Sequence, residues 1–196
     1  MKTDIILGGV GGQGILSISA IIGTAAVEKG LYVKQAEVHG MSQRGGDVMS
    51  NLRLSSEIIY SDLIPKGQVD IIIGVEPMEA LRHKAMLNPE GWLVTNSTPF
   101  INITNYPELE DVYAEVRKIK NHILIDADAI AKQVGSVRAS NVVMLGAAAP
   151  FLNIPEDAFF TAIQRIFGSK GEDVVQLNID AFKAGFAEAQ KVIESK

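Results

Sequence analysis

The sequence contains no cysteine in its 196 residues. The chain therefore forms no disulfide and offers no thiolate ligand for zinc or for an iron–sulfur cluster. A redox-active metal connected with its function must be bound by another chain.

Positive charge and long apolar runs are also scarce. Lys and Arg number 18 against 23 Asp and Glu, which gives a net charge of -5. This balance argues against nucleic-acid binding, because neutralising the phosphates needs a basic face. No apolar run reaches the roughly 18 residues of a membrane span, and the N-terminus reads directly into "IILGG" without a long signal region. We expect a cytoplasmic protein with no nucleic-acid and no membrane partner.

The overall composition is that of a globular protein. Hydrophobic residues make up 47% and charged residues 21%, which is close to average usage. A chain of this length is enough for one domain with a sizeable core and short for two. The sequence therefore predicts a single domain over residues 1–196.

Apolar runs typical of strands alternate with helical patterns along the first two thirds of the chain. This order predicts an α/β fold, a mainly parallel open sheet with helices on both faces in a Rossmann-like three-layer arrangement. The last third predicts a helical C-terminal part of three helices: "SNVVMLGAAAPFL", "PEDAFFTAIQRIF" and "EDVVQLNIDAFKAGFAEAQKVIE". We also expect "DVMSNLRLS" and "EIIYS" to form a pair of strands with a turn near Ser55 and Ser56.

A glycine-rich loop follows the first predicted strand. Its residues, Gly9-Val10-Gly11-Gly12-Gln13-Gly14, fit G-x-G-x-x-G between a strand and a helix, where free N–H groups favour an anion. Glu37 near the end of the second strand is the kind of acid that a dinucleotide site needs. The alternative is that close packing of strand and helix alone requires the small residues.

A second glycine-rich loop, "HGMSQRGG", follows the second predicted strand. We expect the two loops to lie together at the carboxyl ends of adjacent strands, where open α/β sheets bind ligands. Arg44 could bind a carboxylate or phosphate through its planar guanidinium, while Gly45 and Gly46 allow close backbone approach. The alternatives are an exposed salt bridge for Arg44 and a strand-end position without a catalytic role for His39.

Three stretches together carry a family resemblance: "GGVGGQGI", "AEVHGMSQRGGDVMSNLR" and "SNVVMLGA". The chain resembles, over nearly its whole length, the gamma-type subunit of the 2-oxoacid:ferredoxin oxidoreductases, and in particular the indolepyruvate oxidoreductase branch. The resemblance implies a subunit that is inactive alone and works in the oxidation of a 2-oxoacid with coenzyme A as co-substrate. It further implies a large alpha-type catalytic subunit as partner and ferredoxin as electron acceptor. That large subunit would bind thiamine diphosphate, Mg2+ and 4Fe–4S clusters, and this chain would bind no cofactor alone.

The resemblance also implies a role for the two loops as the face that meets the catalytic subunit and the coenzyme A region. The residues expected on this face are Gly9, Gly11, Gly12, Gln13, Gly14, Gly40, Gln43, Arg44, Gly45, Gly46 and Asn141. We expect no catalytic nucleophile or base among them. For Asn141, which stands where a helix begins after Ser140, an N-cap is the alternative interpretation.

Other polar residues carry weaker predictions. Glu76 could place a carboxylate at the same edge of the sheet, but helix initiation before Pro77 explains it equally well. Asp128 is predicted to cap a helix rather than to form a metal site with Asp126. We interpret His83 and His122 as structural or exposed, and we expect no metal ligand in the chain.

Two further interpretations of the sequence remain open. One predicted helix has an apolar face that contains Phe159, Phe160, Ile163, Ile166 and Phe167. A face of this kind more often belongs to the core than to a cofactor site, and a subunit interface is the alternative. For function, the alternatives to an oxidoreductase subunit are a free-standing NAD(P)- or nucleotide-binding protein and a scaffold domain whose loops are only an interface.

Overall fold

The computed structural model describes residues 1–40, 45–101 and 103–195. Within these ranges, the strands of one sheet are β1 (Lys2–Val10), β2 (Tyr32–His39), β3 (Asp47–Ser55), β4 (Val69–Gly74), β5 (Leu87–Asn96) and β6 (His122–Ile125). The helices are α1 (Ile15–Glu28), α2 (Pro77–Arg82), α3 (Leu109–Arg117), α4 (Ala127–Gln133), α5 (Ser140–Ala148), α6 (Glu156–Phe167) and α7 (Glu172–Glu194).

The strand order across the sheet is β2-β3-β1-β4-β5-β6. The pairs β1–β4, β4–β5 and β5–β6 are parallel, whereas β3 runs antiparallel to both β1 and β2. The mainly parallel open sheet predicted from the sequence is confirmed. The antiparallel strand was not predicted, because its position depends on pairing between distant parts of the chain.

Alternate residues of the central strands supply two hydrophobic cores, one on each face of the sheet. Ile5 and Leu7 of β1 belong to the larger core, which includes residues of α1 and of the four helices α4 to α7. Ile6 points the opposite way, into a smaller core that α2 and α3 cover through Ala80 and Val116. Helices therefore cover both faces of the central sheet, and the three-layer prediction is confirmed.

The three predicted C-terminal helices are present as α5, α6 and α7. Helix α5 is buried from Val142 to Ala148 and packs directly against α7. The two backbones approach closely because each helix has a glycine at the crossing: a Cβ on Gly146 would lie 2.0 Å from the Phe182 carbonyl oxygen, and one on Gly185 would lie 1.9 Å from that of Val143.

The aromatic-bearing face of α6 belongs to the protein core. Phe159 and Ile163 are fully buried, and the remaining members of the face pack against the same core. The ring of Phe182 on α7 lies 5.2 Å from that of Phe159. The core interpretation of this face is confirmed.

The predicted strand "EIIYS", residues 57–61, is wrong, since the chain leaves the sheet after Ser55. Arg53 explains part of the difference: its guanidinium donates to the carbonyl oxygens of Ser61 and Leu63, each over 3.0 Å. The same guanidinium binds the fully buried carboxylate of Asp4, with Nε at 2.7 Å from Oδ1. The segment is thus held by a side chain instead of a strand partner.

The described helices include none that combines the length and the apolar character needed to cross a membrane.

Candidate functional site

The first glycine loop, residues 11–14, joins the end of β1 to the start of α1. Gly12 and Gly14 have φ angles of 104° and 82°, a region that residues with a Cβ rarely adopt. The backbone N–H of Val10 donates to Oε1 of Gln13 over 2.7 Å. Gln13 therefore uses its amide oxygen to close the turn.

Two glycines of this region are required by packing. A Cβ on Gly9 would lie 2.3 Å from Cγ2 of Val75, and a Cβ on Gly14 would lie 2.3 Å from Nδ2 of Asn141. A Cβ on the exposed Gly12, in contrast, would meet no atom of the described residues within 4 Å. Close packing thus explains Gly9 and Gly14, while the open space beside Gly12 is available to another molecule.

Asn141 connects helix α5 to the first glycine loop. Its Nδ2 donates to the carbonyl oxygen of Gly14 over 3.2 Å. The N-cap position of α5 is Ala139, without a side-chain cap, so the capping interpretation of Asn141 is wrong. Helix α5 begins one residue earlier, at Ser140, which places Asn141 inside the first turn, where its side chain reaches the loop.

The two glycine loops are hydrogen-bonded to each other. The N–H of Gly11 donates to the carbonyl oxygen of Gly46 over 2.8 Å, and the N–H of Gly45 donates to that of Gly11 over 3.3 Å. The N–H of Gly40, on the other side of the second loop, donates to the carbonyl of Asp47 over 3.2 Å. The expectation that the loops lie together is therefore met for these glycines.

The strands that precede the two loops are not neighbours, and that part of the prediction is wrong. After the second loop the chain turns back as β3, which pairs with β1 on one side and β2 on the other, so that Val48 lies beside both Gly9 and His39. The second loop consequently closes a hairpin. Gln43 and Arg44, which the sequence predicts for this face, lie outside the described residues.

A pocket of about 450 Å³ opens beside the joined loops. Gly11, Gly12 and Gly14 form one side of it, and Glu37 and His39 of β2 lie on another. The other described residues of the lining are apolar: Val10, Ile15, Leu16 and Val48. Backbone amides next to apolar side chains suit a ligand arm or a protein segment of mixed polarity.

A smaller, more polar pocket of about 180 Å³ is lined by Gln13, Asn141 and residues that follow β5. Asn96 organises its wall: Nδ2 donates to Asp128 over 3.2 Å, and Oδ1 accepts from the N–H of Ala127 over 3.0 Å. Sequence reasoning did not select Asn96. The available signal was its position directly after the apolar run of β5, at the carboxyl end of a parallel strand.

Glu76 lies at the same edge of the sheet and is fully buried. Its Oε2 accepts from the N–H of Glu79 over 2.7 Å and caps α2. Its Oε1 accepts from the hydroxyl of Tyr106 and, over 3.4 Å, from the N–H of Phe100. The helix-initiation interpretation of Glu76 is thus confirmed, and its second oxygen holds a loop at the edge of the sheet; a site role for Glu76 stays a prediction.

Two ionisable groups on α2 and just after it have shifted pKa values. Burial raises the pKa of Glu79, although the ion pair with Arg82, 2.9 Å away, lowers it in part. Burial lowers the pKa of His83, opposed by the charge of Asp47 and assisted by that of Arg82. His83 packs beneath β1, near Gly8, so its structural interpretation is supported.

The capping role predicted for Asp128 belongs to Asp126. Oδ1 of Asp126 accepts from the N–H of Ala129 over 2.8 Å, while Asp128 binds Asn96. The predicted cap was wrong by two residues because α4 begins at Ala127. Across the described ranges, His, Asp and Glu side chains form no group of three or more that could hold a metal ion.

Comparison with known proteins gives matches over almost the whole chain. Residues 4–188 match the family model described as pyruvate ferredoxin/flavodoxin oxidoreductase. The chain is 37% identical to the indolepyruvate oxidoreductase subunit IorB of Archaeoglobus fulgidus, over 96% of each sequence.

Solved structures give matches of the same kind. The fold is similar, with a TM-score of 0.71 and 25% identity, to the gamma subunit of a keto/oxoacid ferredoxin oxidoreductase from Geobacter sulfurreducens, over 96% of this chain and 99% of that one. It is also similar, with a TM-score of 0.77 and 27% identity, to a 2-oxoglutarate:ferredoxin oxidoreductase from Magnetococcus marinus solved with 2-oxoglutarate, coenzyme A and succinyl-CoA bound. The match includes 97% of this chain but only 31% of that protein.

Sequence similarity over the whole domain and the shared fold lead to one assignment. The chain belongs to the pyruvate ferredoxin/flavodoxin oxidoreductase family.

Proposed function

We propose that this chain is the small subunit of an indolepyruvate oxidoreductase and completes the active-site and coenzyme A region of a large catalytic subunit. The observation that carries the proposal is the 37% identity to an indolepyruvate oxidoreductase subunit over 96% of both sequences. A match that leaves almost no part of either chain uncovered supports the same division of labour between subunits.

The reaction of the complex would be the oxidative decarboxylation of an aryl pyruvate. The bond between the carboxylate carbon and the keto carbon breaks, carbon dioxide leaves, and coenzyme A forms a thioester with the remaining acyl group. Two electrons pass to oxidised ferredoxin, and the thiol proton is released. The products are an aryl-acetyl-CoA, carbon dioxide and reduced ferredoxin.

The cofactors of this reaction are assigned to the large subunit. The chain has no cysteine to hold a 4Fe–4S cluster, and its described residues offer no group of three metal-ligating side chains for Mg2+. Thiamine diphosphate would supply the carbon nucleophile in the partner. The contribution of this chain is then orientation and exclusion of water.

The joined glycine loops are the face proposed to meet the catalytic subunit. The hydrogen bonds between Gly11, Gly45 and Gly46 make the two loops one unit, and Gly12 presents open backbone beside the 450 Å³ pocket. The other residues assigned to this face from the sequence are Gly9, Gln13, Gly14, Gly40, Gln43, Arg44 and Asn141. The Magnetococcus marinus relative was solved with coenzyme A bound, which supports coenzyme A as co-substrate of the complex.

A free-standing NAD(P)-binding protein is disfavoured. In a dinucleotide-binding fold the acid follows a second strand that lies next to the first, whereas here β3 separates β2, which carries Glu37, from β1. The three relatives described above are also all 2-oxoacid or indolepyruvate oxidoreductases or their subunits.

The test is reconstitution of the complex. The tagged chain is co-expressed with the large subunit and purified without oxygen, and reduction of a viologen dye is followed with indolepyruvate and coenzyme A. We expect activity only when both subunits are present, and higher kcat/KM with indolepyruvate than with pyruvate or 2-oxoglutarate. Arg44→Ala is expected to weaken assembly or coenzyme A use while leaving the fold intact.

Two outcomes would contradict the proposal. A large subunit with full activity in the absence of this chain would remove its role in the complex. Tight binding of NAD(P)H by the isolated chain, without association with the large subunit, would instead favour the nucleotide-binding alternative.

A further inference from the structure

The buried carboxylate of Glu76 has two functions in the fold. Its Oε2 caps α2 by accepting from the N–H of Glu79, which is all that helix initiation requires. Its Oε1 accepts from the Phe100 N–H and the Tyr106 hydroxyl. The second oxygen thus holds a segment that a helix cap alone would leave unattached.

We call this segment the strap; it comprises residues 97–101 and 103–106, which follow β5. Besides the two donors to Glu76, the hydroxyl of Tyr113 donates to the carbonyl of Ser97 over 2.7 Å, and the N–H of Thr98 donates to Asn96 over 3.3 Å. The strap backbone is therefore attached at Ser97, Thr98 and Phe100, and the side chain of Tyr106 anchors the other end of the strap.

Two neighbouring side chains on this well-anchored backbone are apolar and exposed. Phe100 is 43% exposed and Ile101 is 67% exposed. Neither side chain belongs to the two hydrophobic cores, so their exposed surface adds little to the stability of the chain alone. A fixed backbone that presents apolar side chains lowers the entropic cost of binding a partner.

The strap adjoins the proposed interface. Phe100 and Thr98 line the same 180 Å³ pocket as Gln13 of the first glycine loop and Asn141. A molecule that covers the glycine loops therefore meets Phe100 at the edge of its contact. This continuity favours, as the occupant, the protein proposed to dock on the glycine loops, and aromatic residues are frequent anchors in such interfaces.

We propose that Phe100 and Ile101 form a docking surface for the large catalytic subunit, and that Tyr106 and Glu76 position it. The inference rests on the proposed function, since that function supplies the partner. Burial and the neighbouring Glu76 carboxylate raise the pKa of Tyr106. Its hydroxyl accordingly remains a hydrogen-bond donor across the physiological pH range.

The test compares the same substitution, isoleucine to alanine, at two exposed positions. Ile101→Ala removes the proposed contact. Ile58→Ala is the matched control: Ile58 is 60% exposed, and it follows the end of β3 that is farther along the strand from the glycine loops. The dissociation constant of the purified full chain from the purified large subunit is measured for both, together with Phe100→Ala. We expect Ile101→Ala and Phe100→Ala each to raise Kd about tenfold or more without lowering the Tm of the chain, and Ile58→Ala to leave Kd unchanged.

Tyr106→Phe tests positioning, because it removes only the hydroxyl. We expect a Kd several-fold higher than that of the wild type, with Phe100 and Ile101 still present. A lower Tm with unchanged Kd would make Tyr106 purely structural and would overturn its positioning role.

Failure of the inference differs from failure of the proposed function. If the wild-type chain neither binds nor activates the large subunit, the proposed function fails. If the wild-type chain binds and activates, but Phe100→Ala and Ile101→Ala bind equally well, the docking surface alone is refuted.

Discussion

Gly185 on α7 lies so close to Val143 on α5 that a Cβ at position 185 would come within 1.9 Å of the Val143 carbonyl oxygen. The contact is backbone to backbone, and no rotamer change can relieve it. These two helices can therefore cross at this distance only because residue 185 has no side chain.

Gly185→Ala is expected to destabilise the protein by about 2 kcal/mol or more, because added atoms in a packed helix crossing force the backbones apart. Gly23→Ala on α1 is the matched control. Among the described residues, a Cβ there would meet only Val33, at an ordinary 3.7 Å, and alanine is more stable than glycine in a helix by about 0.5–1 kcal/mol. Urea unfolding of both variants checks the difference, and equal stabilities would show that α5 and α7 can separate at no cost.

Gly14→Ala and Asn141→Ala are expected to be coupled. The added Cβ in Gly14→Ala meets the Asn141 amide at 2.3 Å and also carries the strain of a positive φ, about 1–2 kcal/mol. Removal of the amide in Asn141→Ala eliminates the clash but keeps the strain. Gly14→Ala should therefore cost less in the Asn141→Ala background, as a double-mutant cycle of unfolding free energies will measure. Additive effects would mean that the loop moves away from α5 without loss.

Arg53→Ala is expected to cost about 3 kcal/mol or more, because it leaves the fully buried carboxylate of Asp4 without its guanidinium partner. Lys2→Ala, which breaks the more exposed ion pair to the same carboxylate, should cost no more than about 1 kcal/mol. Limited proteolysis gives a second measurement: the Arg53 variant should be cleaved faster in residues 56–66, since Ser61 and Leu63 lose their donor. Similar losses in both variants would remove the special role of Arg53.

His83 is expected to make the protein less stable in acid. Burial holds its folded-state pKa below the ordinary value of 6.5, so the unfolded chain binds the proton more tightly. The contribution of the neutral His83 side chain to the free energy of unfolding is fully present above pH 6.5 and is lost as the pH falls through the folded-state pKa. Urea unfolding at pH 7.5 and pH 5.5 should show a larger loss for the wild type than for His83→Gln; equal losses would show that the imidazole titrates normally.

The sequence was sufficient for those features that depend on local patterns. Glycines flanked by apolar residues marked the first loop, and the periodic apolar residues of Phe159 to Phe167 marked a core helix. The strand order could not be predicted in this way, because the place of β3 between β1 and β2 is decided by pairing across the sheet. No local signal distinguishes a third strand at the edge from one inserted beside the first.

The same limit applies to the candidate site. Tyr106 binds Glu76 from 30 residues away, and nothing in the sequence around Tyr106 indicates that contact. Asn141 was interpreted from its position near a helix start, yet its partner is Gly14, 127 residues earlier. Contacts of this kind follow from tertiary packing, which brings side chains of separate elements to one edge of the sheet.

The burial of α5 by α7 has a consequence for biosynthesis. Helix α7 occupies residues Glu172–Glu194 and is synthesised after α5. Until then the apolar face of α5 and the sheet beneath it lack their cover, and such surfaces are prone to aggregation during folding. The burial of α5 is therefore completed only once α7 has been synthesised, and the growing chain passes through an aggregation-prone stage while α7 is still missing.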